Sequence, residues 1–194
     1  MKNTRTNIMA ATKKLIVEKG YSDMTTKDIA KEANVNEATL FRQFGSKKEL
    51  LLATLREADW IPSASSGISD QFQWDLAKDL RVIMADYFEQ VTPEIVRFSL
   101  GLRAQDIYQE TMPYVDKIPT AFVQLLEDYL RAMEEREKLQ ISDAKASAEV
   151  IFSSMIGFAF LHAYSNKKQY QIEAEHFISQ AVSQFVEGLN EQNV

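Results

Sequence analysis

Thr25-Thr26-Lys27-Asp28-Ile29-Ala30-Lys31-Glu32-Ala33-Asn34-Val35-Asn36-Glu37-Ala38-Thr39-Leu40-Phe41-Arg42-Gln43-Phe44-Gly45-Ser46-Lys47 reads as two short helices joined by a tight turn. Thr25 can cap the first helix, and Asp28, three residues on, sets a carboxylate against free amides at the positive helix end. Ile29, Ala30 and Ala33 share one face and are small enough to let a second helix approach closely. Asn34 can take the left-handed conformation that closes the first helix, Val35 plugs the corner, and Asn36 can cap the second. Leu40 and Phe44, four apart, turn inward, which leaves Glu37, Thr39, Arg42 and Gln43 to face outward. Such a pair is the smallest unit able to lay one helix in the major groove of duplex DNA.

On the N-terminal side, Ile8, Ala11, Leu15 and Ile16 mark an amphipathic helix that stops at Gly20. On the other side, Ser46 as N-cap and Glu49 as its partner open a fourth helix with Leu51, Thr54, Leu55 and Ala58 turned inward. Residues 61–69, with Pro62, Gly67 and several serines, read as a break. Beyond it, helices are predicted over about 70–91, 93–109, 113–138, 143–165 and 172–189. No period-two strand pattern occurs, so the predicted fold is all-α. A three-helix helix-turn-helix domain (1–46) is followed by a connecting helix (47–62) and a larger helical domain (63–194).

The net charge of −6 becomes informative once it is split by position. Residues 1–56 carry eleven Lys and Arg against six Asp and Glu, whereas residues 57–194 carry eleven against twenty-two. A basic end on an acidic body suits a protein that meets phosphate with one face only. With no cysteine, disulfides, cysteine–zinc sites and thiol nucleophiles are excluded. No secretory signal and no membrane-spanning run of about 20 apolar residues are expected. DNA binding would place the protein in the cytoplasm.

From Ile8 to Leu55 the chain resembles the DNA-binding domain of TetR-type (tetracycline-repressor-like) transcriptional regulators. The resemblance rests on Glu18-Lys19-Gly20-Tyr21, Thr25 to Ala30, Thr39-Leu40-Phe41 and Phe44 to Leu51. Three positions depart from the family pattern: Asn34 where Gly is usual, Glu37 opening the recognition helix, and Phe41 in place of Tyr. The last loses a hydroxyl able to bond a phosphate. Carried over position by position, the resemblance implies DNA-facing roles for Thr26, Lys27, Thr39, Phe41, Arg42, Gln43 and Lys47.

Chemistry assigns those roles further. Arg42 suits guanine N7 and O6, Gln43 suits adenine N6 and N7, and Thr39 suits a thymine methyl or a phosphate. Glu37 could accept from cytosine N4 or simply favour the helix N-terminus. Lys47 and Lys48, at the start of the fourth helix, and Thr26 and Lys27, at the start of the second, are placed to hold phosphates.

In the larger domain, Trp74, Tyr87, Phe88, Phe98, Arg103, Tyr108 and Phe122 are candidates to line a site for a small organic effector, which the resemblance implies. Aromatics at helical spacing equally make core. Residues 150–164 are apolar nearly all round, and the last helix carries an apolar seam. TetR-like proteins pair these two helices across a dimer, which singles out Phe152, Met155, Ile156, Phe160, Phe177, Ile178, Ala181, Val182 and Phe185; core packing within one chain is the alternative. His162 and His176 stand without clustered carboxylates, so no metal, cofactor or catalytic role is expected. The whole pattern predicts a homodimeric, effector-released repressor on a near-palindromic operator. A DNA-binding adaptor whose helical domain engages a protein is the alternative.

Overall fold

The computed structural model describes residues 2–57, 67–164 and 172–191, all helix, turn or coil, with no strand among them. The helices are α1 (Lys2–Asp23), α2 (Thr26–Glu32), α3 (Glu37–Phe44), α4 (Lys47–Glu57), α5 (Leu76–Gln90), α6 (Pro93–Gly101), α7 (Tyr108–Val115), α8 (Lys117–Glu135), α9 (Ala144–Tyr164) and α10 (Ala174–Glu191). They gather into two compact units, Met1–Ile61 with Glu94–Asp116, and Pro62–Pro93 with Lys117–Val194. Residues 94–116 therefore group with the N-terminal helices and not, as the sequence partition has it, with the larger domain.

In the first unit, α1 runs to Gly20, whose φ of 77° and ψ of 169° break the helix and turn the chain toward α2. Ile8, Ala11, Leu15 and Ile16 are buried against Ile29, Ala33, Leu40, Phe44, Leu51 and Leu55. Phe98 and Leu102 from α6 and its end, together with Ile107 and Val115, complete the same core. Gly101 is what allows α6 so close: a Cβ there would lie 2.9 Å from both Ile16 Cγ2 and the Ile16 carbonyl oxygen.

The helix predicted over 93–109 thus ends at 101, and the one predicted over 113–138 is divided. Thr111 Oγ1 donates to the carbonyl of Leu102 (2.8 Å), so a side chain from the next helix engages the turn that sequence periodicity would have continued. α7 then occupies 108–115, with Pro113 inside it, and α8 restarts at Lys117. Ala58 and residues 61–66 of the predicted break lie outside the described residues.

In the second unit, α5 packs against α10 and α8 against α9. The chain enters α5 through a 3₁₀ turn (Ile68–Gln71) and an extended stretch, which replaces the first turns of the helix predicted from residue 70. Asp79 accounts for this. Its fully buried carboxylate accepts from the amides of Gln73 (2.8 Å) and Asp75 (3.1 Å) and from the Tyr129 hydroxyl (3.0 Å). Trp74 between those amides has φ 59°. Arg136 lies 3.5 Å over its ring, and Lys138 Nζ donates to its carbonyl at 2.9 Å. Burial, reinforced by Asp79, pushes the Tyr129 phenol well above its ordinary value.

Tyr87, Phe122 and Phe152 meet edge to face at the centre of this unit, their centroids 5.0 and 5.7 Å from Tyr87. Against expectation, α9 is long and apolar enough to cross a membrane, with mean hydropathy 1.4 over 18 residues. Its inward face, Ala148, Ile151, Phe152, Met155 and Ala159, is buried within the unit, as in a core helix; the opposite face is uncovered.

Candidate nucleic-acid interface

The helix pair is set by its caps. Thr25 Oγ1 accepts from the Asp28 amide at 3.1 Å while the Asp28 carboxylate accepts from the Thr25 amide at 3.1 Å, a reciprocal capping box. The Thr25 hydroxyl, donating to Asp28 Oδ2 at 2.8 Å, and then the Thr25 amide hold the Asp28 carboxyl below its ordinary value. Asn34 takes φ 52°, the Val35 amide donates to the Ala30 carbonyl (2.9 Å), and Asn36 Oδ1 accepts from the Ala38 amide (2.9 Å). The turn needs no glycine because asparagine tolerates the left-handed region.

Burial of Leu40 and Phe44 fixes the rotation of α3. Ala38, Phe41 and Arg42 are thereby exposed, with Glu37, Thr39 and Gln43 half-buried beside them. Six of the nine predicted DNA-facing residues, Glu37, Thr39, Phe41, Arg42, Gln43 and the exposed Lys27, thus lie on α3 or at the start of α2 with their side chains at least partly open. Ala38, which the predicted set does not include, is exposed one turn before Phe41 on the same face.

The other three are committed within the unit. Thr26 Oγ1 donates to Glu37 Oε1 at 2.5 Å, tying the starts of α2 and α3 together and orienting the carboxylate. Lys47 Nζ donates to the carbonyls of Tyr21 and Met24, both at 2.9 Å, and sits 4.1 Å over the Tyr21 ring. Lys48 pairs with Glu110 of α7, which holds that carboxyl below its ordinary value. In the chain without DNA, both lysines anchor the start of α4, Lys47 to the end of α1 and Lys48 to α7.

The predicted effector residues are divided between the two units. Phe98, Arg103 and Tyr108 belong to the first unit and Trp74, Tyr87, Phe88 and Phe122 to the second. Phe98, Tyr87 and Phe122 are core, Arg103 and Tyr108 are exposed, Trp74 carries Arg136, and Phe88 packs edge to face on Phe158 and Phe177.

Of the predicted dimer residues, Phe152, Met155, Ala181 and Val182 are buried in their own unit and offer no surface to a second copy. Phe177, Ile178 and Phe185 are half-buried. Ile156 and Phe160 are exposed, and Val150, Leu161 and Tyr164, which the sequence did not single out, are exposed on the same helix. Beside them a cleft of about 380 Å³ is lined by Ser153, Gly157, Phe158, Leu161, Ile172 and Phe177, among others.

Residues 8–54 match the model for bacterial regulatory proteins of the tetR family. Over 190 residues the chain is 30% identical to the uncharacterized HTH-type transcriptional regulator YvkB of Bacillus subtilis (strain 168), an alignment spanning 98% of this chain and 99% of that one. Among solved structures, the fatty acid degradation regulator FadR of Bacillus halodurans shares the fold with a TM-score of 0.71 at 18% identity over 96% of each chain. The transcriptional regulator FadR of Bacillus subtilis, solved in complex with stearoyl-CoA, gives 0.70 at 18% identity over 94% of this chain and 98% of that one. A capped helix pair with an open α3, inside a chain matched end to end by a regulator, leads to one assignment: the protein belongs to the TetR family of DNA-binding transcriptional regulators and is not an enzyme.

Proposed function

We propose that this regulator is a cytoplasmic repressor that occupies a near-palindromic operator as a homodimer and leaves it when a small organic effector binds its helical part. The observation that carries the dimer is the uncovered face of α9, where Val150, Ile156, Phe160, Leu161 and Tyr164 recur at helical spacing around Gly157. A Cβ at Gly157 would meet nothing within 4 Å, leaving room for another helix. An apolar stripe of this kind is costly in water unless a second surface covers it, and a two-fold partner would also supply the second recognition helix that a palindrome requires. On each copy, Arg42, Gln43, Thr39 and Glu37 would address base edges and Lys27 a phosphate.

Kinship of fold with a FadR bound to stearoyl-CoA supports an organic effector. Release then requires that the effector bind one conformer better than the other. A second reading, an adaptor that engages a protein, is favoured by the ring-on-ring packing of Tyr87, Phe122 and Phe152, which fills the centre of the second unit. A melting screen against metabolites and dyes separates the two: upward shifts favour the effector, uniformly flat curves the adaptor.

The reading is tested by a gel shift of the full chain on the DNA flanking its own gene, at several salt concentrations. Binding should weaken steeply as salt rises. Arg42→Ala, at an exposed position, should leave the melting temperature unchanged and cost about 1–3 kcal/mol of discrimination. An Arg42→Ala protein with unchanged sequence preference refutes the role given to α3.

A further inference from the structure

Phe41 is 46% exposed in the middle of α3, a helix whose packing is already supplied by the buried Leu40 and Phe44. Ala38, one turn earlier, is exposed on the same face, and Arg42 stands next to both. The helix-turn-helix therefore presents a small apolar surface beside the Arg42 guanidinium and the partly open Thr39 and Gln43. Folding gives no reason for the bare ring, and without a hydroxyl it cannot bond a phosphate. In the major groove the apolar group that distinguishes one base from the rest is the C5-methyl of thymine, against which alanine and phenylalanine side chains pack.

We propose that Ala38 and Phe41 form a thymine-methyl reader, so that each operator half-site carries thymine next to the base contacted by Arg42. This rests on the reading of α3 as the groove helix. It makes Phe41 a determinant of specificity: its contribution depends on base identity and not on salt.

The test begins with selection of preferred duplexes from a random library by the full-length protein, followed by replacement of each thymine in the selected site with deoxyuridine, which removes only the methyl. One buried methyl contributes about 0.8 kcal/mol, so affinity should fall about fourfold at one or two positions per half-site. Phe41→Ala should bind the thymine site more weakly with an unchanged salt slope, and should lose nothing further on uracil substitution at those positions. Uracil-insensitive binding at every thymine, a selected site without thymine, or a uracil penalty that persists undiminished in Phe41→Ala overturns the proposal while leaving the DNA-reading role intact. Failure to select any duplex overturns both. The uracil series uses the unaltered protein, so it decides the matter even if Phe41→Ala is poorly folded.

Discussion

Replacing Phe160 by alanine should weaken self-association by up to about three orders of magnitude while leaving the protomer's fold alone. Phe160 is 45% exposed on α9 and touches Tyr164 ring to ring, centroids 5.2 Å apart. A phenylalanine carries roughly 200 Å² of surface, so about 90 Å² of Phe160 is available to a partner. At about 25 cal/mol per Å² this is about 2 kcal/mol for each copy, and about 4 kcal/mol for a two-fold interface in which both copies change. Side-chain ordering on association offsets part of it, which makes a thousandfold change the upper figure and a thirtyfold change a reasonable floor, to order of magnitude. Sedimentation equilibrium over a wide concentration range measures the dissociation constant, and a circular dichroism melt of the variant checks the fold. A variant constant within about threefold of wild type, or a wild-type chain that stays monomeric at micromolar concentration, would show that this face of α9 is not where two copies meet.

Two further outcomes follow from the packing of the first unit. Gly101→Ala should destabilise it by about 1–3 kcal/mol, because the new Cβ would stand 2.9 Å from the Ile16 carbonyl oxygen, which is backbone and cannot rotate aside; chemical denaturation showing no loss would contradict the close approach of α6 to α1. The Asp28 cap predicts an acid effect of defined sign. Its carboxyl is held below 3.8 by the bonds with Thr25, so its stabilising contribution is complete above that value and is lost as pH falls through the depressed folded value. The melting-temperature gap between wild type and Asp28→Asn should therefore narrow between about pH 5 and about pH 2, and a gap that stays constant over that window would argue against the capping bond.

Local chemistry decides most of the first unit. Thr25 with Asp28, Asn34, Asn36 with Ala38 and the inward pair Leu40 and Phe44 act over four residues or fewer, so spacing alone determined the turn, the caps and the open face of α3. All-helical architecture was equally legible, since period-two patterns are absent and caps recur. Three matters were left to tertiary structure.

Lys47 and Lys48 look alike in sequence, two cations opening a helix, but their partners lie 23 to 62 residues away, at Tyr21, Met24 and Glu110, and no local rule reaches that far. The orientation of α9 was hidden by its own composition. A helix apolar all round has no phase, so only the docking of α8 and α10 decided that Phe152 and Met155 face the core and Phe160 faces out. The third concerns residues 94–116, which sequence order assigns to the larger domain. Gly101 lets α6 pack on Ile16 and Thr111 engages the turn after it, so Phe98 becomes core for the DNA-reading unit and the aromatic set named as an effector site is divided between two units. Sequence determined which faces are apolar and where helices start; which face meets which, a many-body packing question with long sequence separations, was decided only by the folded chain.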